Sequence, residues 1–429
     1  MRKNSDKIFA LATKKSKSAI ALFRLSGSTS IKSITKITNK KTIKEKTPTV
    51  CYILNKNKEI IDQVIITVFK KPKSYTGEEM AEISCHGSVA IINKINETLI
   101  ANNFRTAEPG EFTKRALLND KLTVLEAESI NDIVNAETEN QRRIAIKNFT
   151  GGLEEFVENI STKIMKLLAD VEAIIDFVDE ELPKDLYKKI KEQKKNIVNL
   201  LEKTIEQSLL SKEIFSGYTI TLIGKPNTGK SSFINYINNK EISIVTNIPG
   251  TTTDLITSIL DINGNKYTFI DTAGIRKYRN LIEKIGIEKS LKSATKSDLN
   301  IVFLKNKEIN SYKSIKNKIF VKSKFDINKI KIKGIHNISS KSGYGVKNLL
   351  NKISKKLENN VIEDAIFSRE RHVNSLKKAL INLKKTNFKE IDISAENIRN
   401  SLTSIRGINQ KFDIEEILDI IFSDFCIGK

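Results

Sequence analysis

The chain has 429 residues, 39% of them hydrophobic and 29% charged, enough for two to four soluble domains with buried cores. Lys and Arg outnumber Asp and Glu by 73 to 51, a net charge of +22, which points to an anionic partner such as nucleic acid or a membrane surface. Three cysteines (Cys51, Cys85, Cys426) and three histidines (His86, His336, His372) without metal-ligand spacing argue against a disulfide framework and a zinc site, and no apolar run reaches the ~18 residues of a membrane span.

Residues 1–120 carry a net charge of +11. Their opening stretch, MRKNSDKIFALATKKSKS, lacks the long apolar core and small-residue cleavage site of a secretory signal, so a cytoplasmic protein is expected. SAIALFRLSG, QVIITVFKK and MAEISCHG are apolar, β-branched runs bounded by turn residues and predict strands. SVAIINKINETLIANN has helical spacing behind a Ser88 cap. Together they predict a small α+β domain.

Residues 121–213 carry −5 and read as long helices. Leu153, Phe156, Ile160, Ile164, Leu167, Val171, Ile174 and Ile175 recur at three- and four-residue steps, the period of one helix face. Pro183 marks a break, and a second amphipathic stretch runs from about Leu186 to Leu210. Residues 359–429 are neutral and again helical, with Leu376, Leu380 and Leu383, then Ile398, Leu402 and Ile405, then Ile414, Ile417, Leu418 and Ile421. Neither part has enough apolar faces alone, so one bundle assembled from both is expected, with residues 214–358 inserted between them.

The inserted segment carries +16 and alternates strands with helices, the pattern of a doubly wound parallel sheet. YTITLIG followed by GKPNTGKSS fits G-x-x-x-x-G-K-[ST] over Gly224–Ser231, after a strand and ahead of a helix. In that context the loop wraps phosphates, Lys230 reaches the β- and γ-phosphates and Ser231 binds Mg²⁺. IPGTTTD offers Thr252 as a second hydroxyl for Mg²⁺, and YTFIDTAG ends a strand on Asp271, placed for the metal's shell, before Gly274. Ser323-Lys324-Phe325-Asp326 stands where GTPases read N-K-x-D. Its Asp would accept from guanine N1–H and the 2-amino group, donors that adenine lacks. Ser339-Ser340-Lys341 follows as the loop beside the base. Four elements in order predict a GTPase domain.

The residue after DTAG is Ile275, where Ras-like proteins place a water-orienting Gln. Glu283 is the candidate replacement, or else an exposed helix carboxylate. Asn227 could help hold a monovalent cation beside the phosphates.

These motifs resemble the tRNA modification GTPase family MnmE (TrmE) over essentially the whole chain. GKPNTGKSS, PGTTTD and DTAGIRK with IEKIGIEKS are similar to its G domain, and SYTGEEMAEISCHG, EPGEFTKRALLNDKL, IDFVDEE and the terminal FCIGK to its other signatures. The resemblance implies a multidomain α/β protein. It would have an N-terminal α+β tetrahydrofolate-binding and dimerisation domain (1–120), a helical bundle domain (121–213 and 359–429) and an inserted Ras-like GTPase domain (214–358).

It further implies a homodimer that works with the FAD-dependent MnmG. Together they add an aminomethyl-type group (5-carboxymethylaminomethyl or aminomethyl) at C5 of the wobble uridine, position 34, of certain tRNAs. The one-carbon unit would come from 5-formyl- or methylene-tetrahydrofolate. The family's GTP contacts correspond to Asn227, Thr228, Gly229, Lys230, Ser231, Ser232, Thr246, Asn247, Ile248, Pro249, Gly250, Thr251, Thr252, Asp271, Thr272, Ala273, Gly274, Ser323, Lys324, Asp326, Ser339, Ser340 and Lys341. Its potassium site corresponds to Asn227, Thr246, Ile248 and Thr251, its catalytic glutamate to Glu283, and its folate contacts to Arg24, Glu82, Lys121 and Lys429. Cys426 would lie near the folate, either as a reactive thiol or as a packing residue. The chain departs from the family where TKKSKSAIAL replaces a glycine-rich stretch before Arg24, and where Thr253 stands in place of Arg.

A ribosome-assembly GTPase that binds RNA is the alternative reading. Such proteins usually append a KH-like module with a G-x-x-G loop, whereas the last 70 residues contain no such loop.

Overall fold

Alternation of apolar and polar residues builds the first sheet, in β1 (Ile8–Leu11), β2 (Ile20–Ser26), β3 (Thr49–Leu54), β4 (Ile60–Phe69), β5 (Met80–His86) and β6 (Arg105–Thr106). The computed structural model describes residues 6–176, 185–239, 243–244, 256–271, 297–305, 309–332, 334–357, 367–409 and 428. They form two compact units, Met1–Asn131 with Asn409–Lys429, and Asp132–Ile408.

In the first unit the strand order is β3-β4-β5-β2-β1-β6. Neighbours are antiparallel except the β1–β6 pair. Helices α1 (Ser30–Lys36) and α2 (Val89–Ala101) seal one face. Ile34, Ile92, Ile95 and Leu99 pack there against Phe23, Leu25, Ile53, Ile66 and Ile83, all fully buried. Each such side chain contributes about 1.5–3 kcal/mol of burial. The expected Ser88 cap is present, its hydroxyl accepting from the Ile91 amide. The opposite face keeps apolar residues in the open: Val50 pairs with Ile65 and Tyr52 with Gln63, and Val50 and Ile65 are 56% and 45% exposed. Helix α3 (Glu111–Leu118) follows, and α4 (Val124–Asn135) runs across the boundary between the units at Asn131.

In the second unit α5 (Glu139–Lys147) and α6 (Leu153–Asp176) lead into α7 (Leu186–Ser216). Pro183 lies outside the described residues. α7 runs six residues past the expected Leu210. Only Gly217, at φ 72, separates it from β7 (Tyr218–Gly224). After the inserted segment come α10 (Glu370–Lys385) and α11 (Ile391–Arg406). Here α10 packs on α7 and α11 on α6, so among the described residues the bundle draws helices from both flanks; the expected apolar set Ile414, Ile417, Leu418 and Ile421 lies outside the described residues. Ile160, Ile164, Leu167 and Val171 of α6, Leu376 and Leu383 of α10 and Ile398 and Ile405 of α11 are all fully buried. Phe156 meets Phe367 edge-on at 5.3 Å, and Arg399 pairs with Glu172 at 2.7 Å.

The inserted sheet holds β7, β8 (Ser243–Ile244), β9 (Ile256–Ile262), β10 (Asn265–Asp271), β11 (Leu299–Phe303), β12 (Lys318–Lys322) and β13 (His336–Asn337), in the order β13-β12-β11-β7-β10-β9-β8. Its first five strands are parallel, as expected. β9 and β8 add two antiparallel strands at one edge. The β9–β10 pair has a local cause: Asn263 and Gly264 both have positive φ, 55° and 81°, the geometry of a two-residue hairpin turn, and so short a connection can join only antiparallel strands. Helices α8 (Lys230–Asn239) and α9 (Val346–Leu357) cover one face, burying Phe233, Ile234, Leu349 and Ile353 against Leu222, Phe269 and Ile301. Ile223 and Val302 point to the other face, into a smaller cluster with Leu304, Ile315 and Ile335.

Candidate functional site

Strand β7 ends at Gly224 and α8 begins at Lys230, so the phosphate-loop motif spans a strand-to-helix turn beside a positive helix end. Two glycines are dictated by space as well as by dihedral. A Cβ on Gly224 (φ 151) would sit 2.5 Å from the Phe303 carbonyl oxygen, and one on Gly229 (φ 96) 2.5 Å from Ser323 Oγ. Asn227 takes the left-handed conformation at the loop's tip, φ 61. The buried Lys230 turns its Nζ back onto the carbonyls of Gly224 (2.6 Å) and Lys225 (3.0 Å), which fixes a positive charge within the loop. Ser231 donates to Asp271 Oδ2 at 2.9 Å. Asp271 is fully buried at the end of β10. A hydroxyl oxygen with a buried carboxylate behind it suits a hard divalent cation, the hydroxyl as ligand and the carboxylate as its outer-shell partner.

The base-side loop stands on β12. Ser323 Oγ donates to the Thr228 carbonyl of the phosphate loop at 2.5 Å, tying the two loops together. Asp326 Oδ1 accepts from Ser339 Oγ at 2.7 Å, and Ser339 Oγ accepts from the Ser342 amide at 3.2 Å. The Ser339 hydrogen bond, reinforced by Lys341 and Lys324, holds the Asp326 carboxyl below its usual range. It is therefore an anion at neutral pH and an acceptor only. Phe325 and Tyr344 stack at 4.6 Å beside it. The Ser340 hydroxyl is buried with no partner among the described residues.

The first unit brings together a second constellation. Arg24 on β2 faces Glu82 on β5 across the sheet, with Nε and Nη2 donating to Glu82 Oε1 at 3.1 and 3.0 Å. Its Nη1 donates to the Gly428 carbonyl at 3.3 Å, next to the terminal Lys429. The guanidinium lies over Tyr75 (5.6 Å) and near Phe112 (6.0 Å). Lys121 packs its stem on Gly77, in the loop that also carries Tyr75. A cation flanked by aromatic rings and a carboxylate can hold a flat, polar heterocycle that carries both donors and acceptors.

Thr246, Asn247, Ile248, Pro249, Gly250, Thr251, Thr252, Thr272, Ala273, Gly274, Glu283, Cys426 and Lys429 lie outside the described residues, as does Thr253. Sequence reasoning singled out Arg24 and Glu82 but missed Tyr75 and Phe112, although both sit inside quoted motifs, SYTGEE and EPGEF. It also missed the Ser323–Thr228 tie, which no spacing rule announces.

A buried lysine and a serine at a strand-to-helix turn, with an anionic acceptor on the loop tied to it and a largely parallel sheet beneath, are the fold and motif of a P-loop nucleotide-binding domain. Comparisons then narrow the class. Residues 124–426 match the description MnmE helical domain, and residues 7–121 match GTP-binding protein TrmE N-terminus. The tRNA modification GTPase MnmE of Pelagibacter ubique (strain HTCC1062) is 40% identical, with 98% of this chain and all of that protein covered. Those of Fervidobacterium nodosum and Rickettsia akari are 37% and 36% identical, covering 99% and 98% of this chain and 98% and 99% of theirs. The chain belongs to the MnmE family of tRNA modification GTPases.

Proposed function

We propose that the chain is a potassium-stimulated GTPase that acts with the FAD-dependent MnmG. The pair forms the aminomethyl-type group on wobble uridine 34 of certain tRNAs, with a tetrahydrofolate as one-carbon donor. The observation that carries the nucleotide part is the Ser231–Asp271 contact beside a buried Lys230. Lys230 would reach the β- and γ-phosphates, and Ser231 with Thr252 would ligate Mg²⁺, with Asp271 in its outer shell. Mg²⁺ supplies neutralisation of the phosphate oxygens when bound. The contacts of Asn227–Ser232, Thr246–Thr252, Asp271–Gly274, Lys324, Asp326 and Ser339–Lys341 complete the GTP site in this reading, with Ser323 at the start of the base loop.

Glu283 would orient the attacking water, because Ile275 cannot. Asn227, with Thr246, Ile248 and Thr251, would hold K⁺. Asn227 fits in its left-handed position at the loop tip, where an amide carbonyl can serve a large monovalent cation. Arg24, Glu82, Lys121 and Lys429 would hold the folate, and the Arg24–Tyr75–Glu82 arrangement supports this. Cys426 would stand beside it. The homodimer would form through the first unit. Its open sheet face supports this, since the row Val50–Ile65 continues across Ser84 to Leu22, next to the Arg24–Glu82 pair.

The test is GTP turnover by the purified chain in potassium against sodium at equal ionic strength. The expected result is faster turnover in potassium. Equal rates would remove the cation site and leave a GTPase activated in another way.

A further inference from the structure

Guanine presents two kinds of groups to a protein. N1–H and the 2-amino group donate, and N7 and O6 accept. Asp326, an anion, can take only the donors. Reading N7 therefore requires a protein hydrogen from another group, and Ser323 is the motif residue bonded to the phosphate loop. A serine hydroxyl has a single hydrogen. At 2.5 Å from the Thr228 carbonyl, which can only accept, that hydrogen is already committed. The remaining capacity of Ser323 Oγ is as an acceptor, the wrong polarity for N7. Nor can the hydroxyl swing elsewhere at no cost. It also abuts the position a Cβ on Gly229 would occupy, so its place is fixed by the tight loop packing.

We propose that Ser323 is a positioning residue that ties the base loop to the phosphate loop, and that the site selects guanine without reading N7. Guanine specificity then rests on Asp326 and its Ser339 support. This rests on the GTPase reading above. A carboxamide at position 323 would carry two N–H hydrogens, one for the Thr228 carbonyl and one for N7. Asparagine would therefore add a recognition element that serine lacks.

The experiment measures binding of GDP and 7-deaza-GDP, in which carbon replaces N7, to the full chain, Ser323→Asn and Ser323→Ala. The wild-type chain is expected to bind the two nucleotides within about two-fold of each other. Ser323→Asn should prefer GDP by about three- to ten-fold, the worth of one hydrogen bond. Ser323→Ala should weaken both nucleotides equally through the lost tie and leave their ratio unchanged. A wild-type preference for GDP of more than about two-fold would overturn the proposal. If Ser323→Ala erased it, Ser323 would be the reader. If it did not, another hydroxyl such as Ser340 would be. Should neither nucleotide bind the wild-type chain, the guanine-nucleotide reading itself would fall.

Discussion

Glu111 shows how one residue can hold a corner of the fold. It accepts from Arg105 Nη2 at 2.5 Å and from Arg115 Nη2 at 2.9 Å, and both arginines also pair with Asp6. Burial works to raise its pKa, but the hydrogen bonds from Arg105, the Glu108 amide and Arg115 prevail and bring it down to about 2. A depressed carboxylate stabilises the folded state fully above its unfolded pKa near 4.5 and loses that contribution as pH falls toward 2. Glu111→Gln should cost about 3 kcal/mol near pH 7, as breaking a buried pair does. Urea unfolding at several pH values should show the gap to wild type narrowing below pH 4.5. A gap that stays constant down to pH 2.5 would mean that shape, not charge, is what Glu111 supplies. Nothing in composition marked this network: Arg115 also pairs with Glu78 at 3.0 Å, and Asp6 and Glu78 are far in sequence from Arg105, Glu111 and Arg115 and meet them only in the folded unit.

At the scale of elements, what was legible depended on whether the signal was local. α2, with Ser88 and helical spacing, and β2, β4 and β5, with alternation bounded by turn residues, carry their signals in consecutive residues. β1 has four residues and β3 six, too short for a period to declare itself, and both are fixed by partners along the sheet. The Asn263-Gly264 turn was a missed local signal, because N-G between apolar runs marks a hairpin. It explains why the otherwise parallel sheet gains β9 as an antiparallel neighbour of β10. The hairpin's neighbours are specific: Asn140 of α5 meets Asn265 at 3.2 Å, and Lys266 pairs with Glu137.

The bundle was legible because two incomplete amphipathic sets needed each other. Ile398→Ala on α11 tests it. Truncating this fully buried side chain should cost about 2–5 kcal/mol. In a calorimetric scan the transition of the Asp132–Ile408 unit should fall while that of the first unit stays. An unchanged scan would mean that α11 does not complete the bundle.

For the whole molecule, the opening charge gave the least information. The excess of +22 suggested an anionic partner in general, yet the assignment came from motifs and full-length relatives. Much of the excess sits on exposed lysines of the inserted segment, among them Lys324, Lys329, Lys331 and Lys341. The proposed dimer is a whole-molecule property with a direct check. Ile65→Lys puts a charge in the middle of the open sheet face, next to Val50. Sedimentation should then report a monomer where the wild-type chain is a dimer, with circular dichroism unchanged. A Lys variant that stays dimeric would move the interface elsewhere.

The measurement that bears most directly on the assignment is mass spectrometry of tRNA wobble uridines from cells that lack this gene. The account predicts loss of the C5 aminomethyl-type group at position 34, and its return when the intact gene is restored. An unaltered wobble-uridine profile would contradict it.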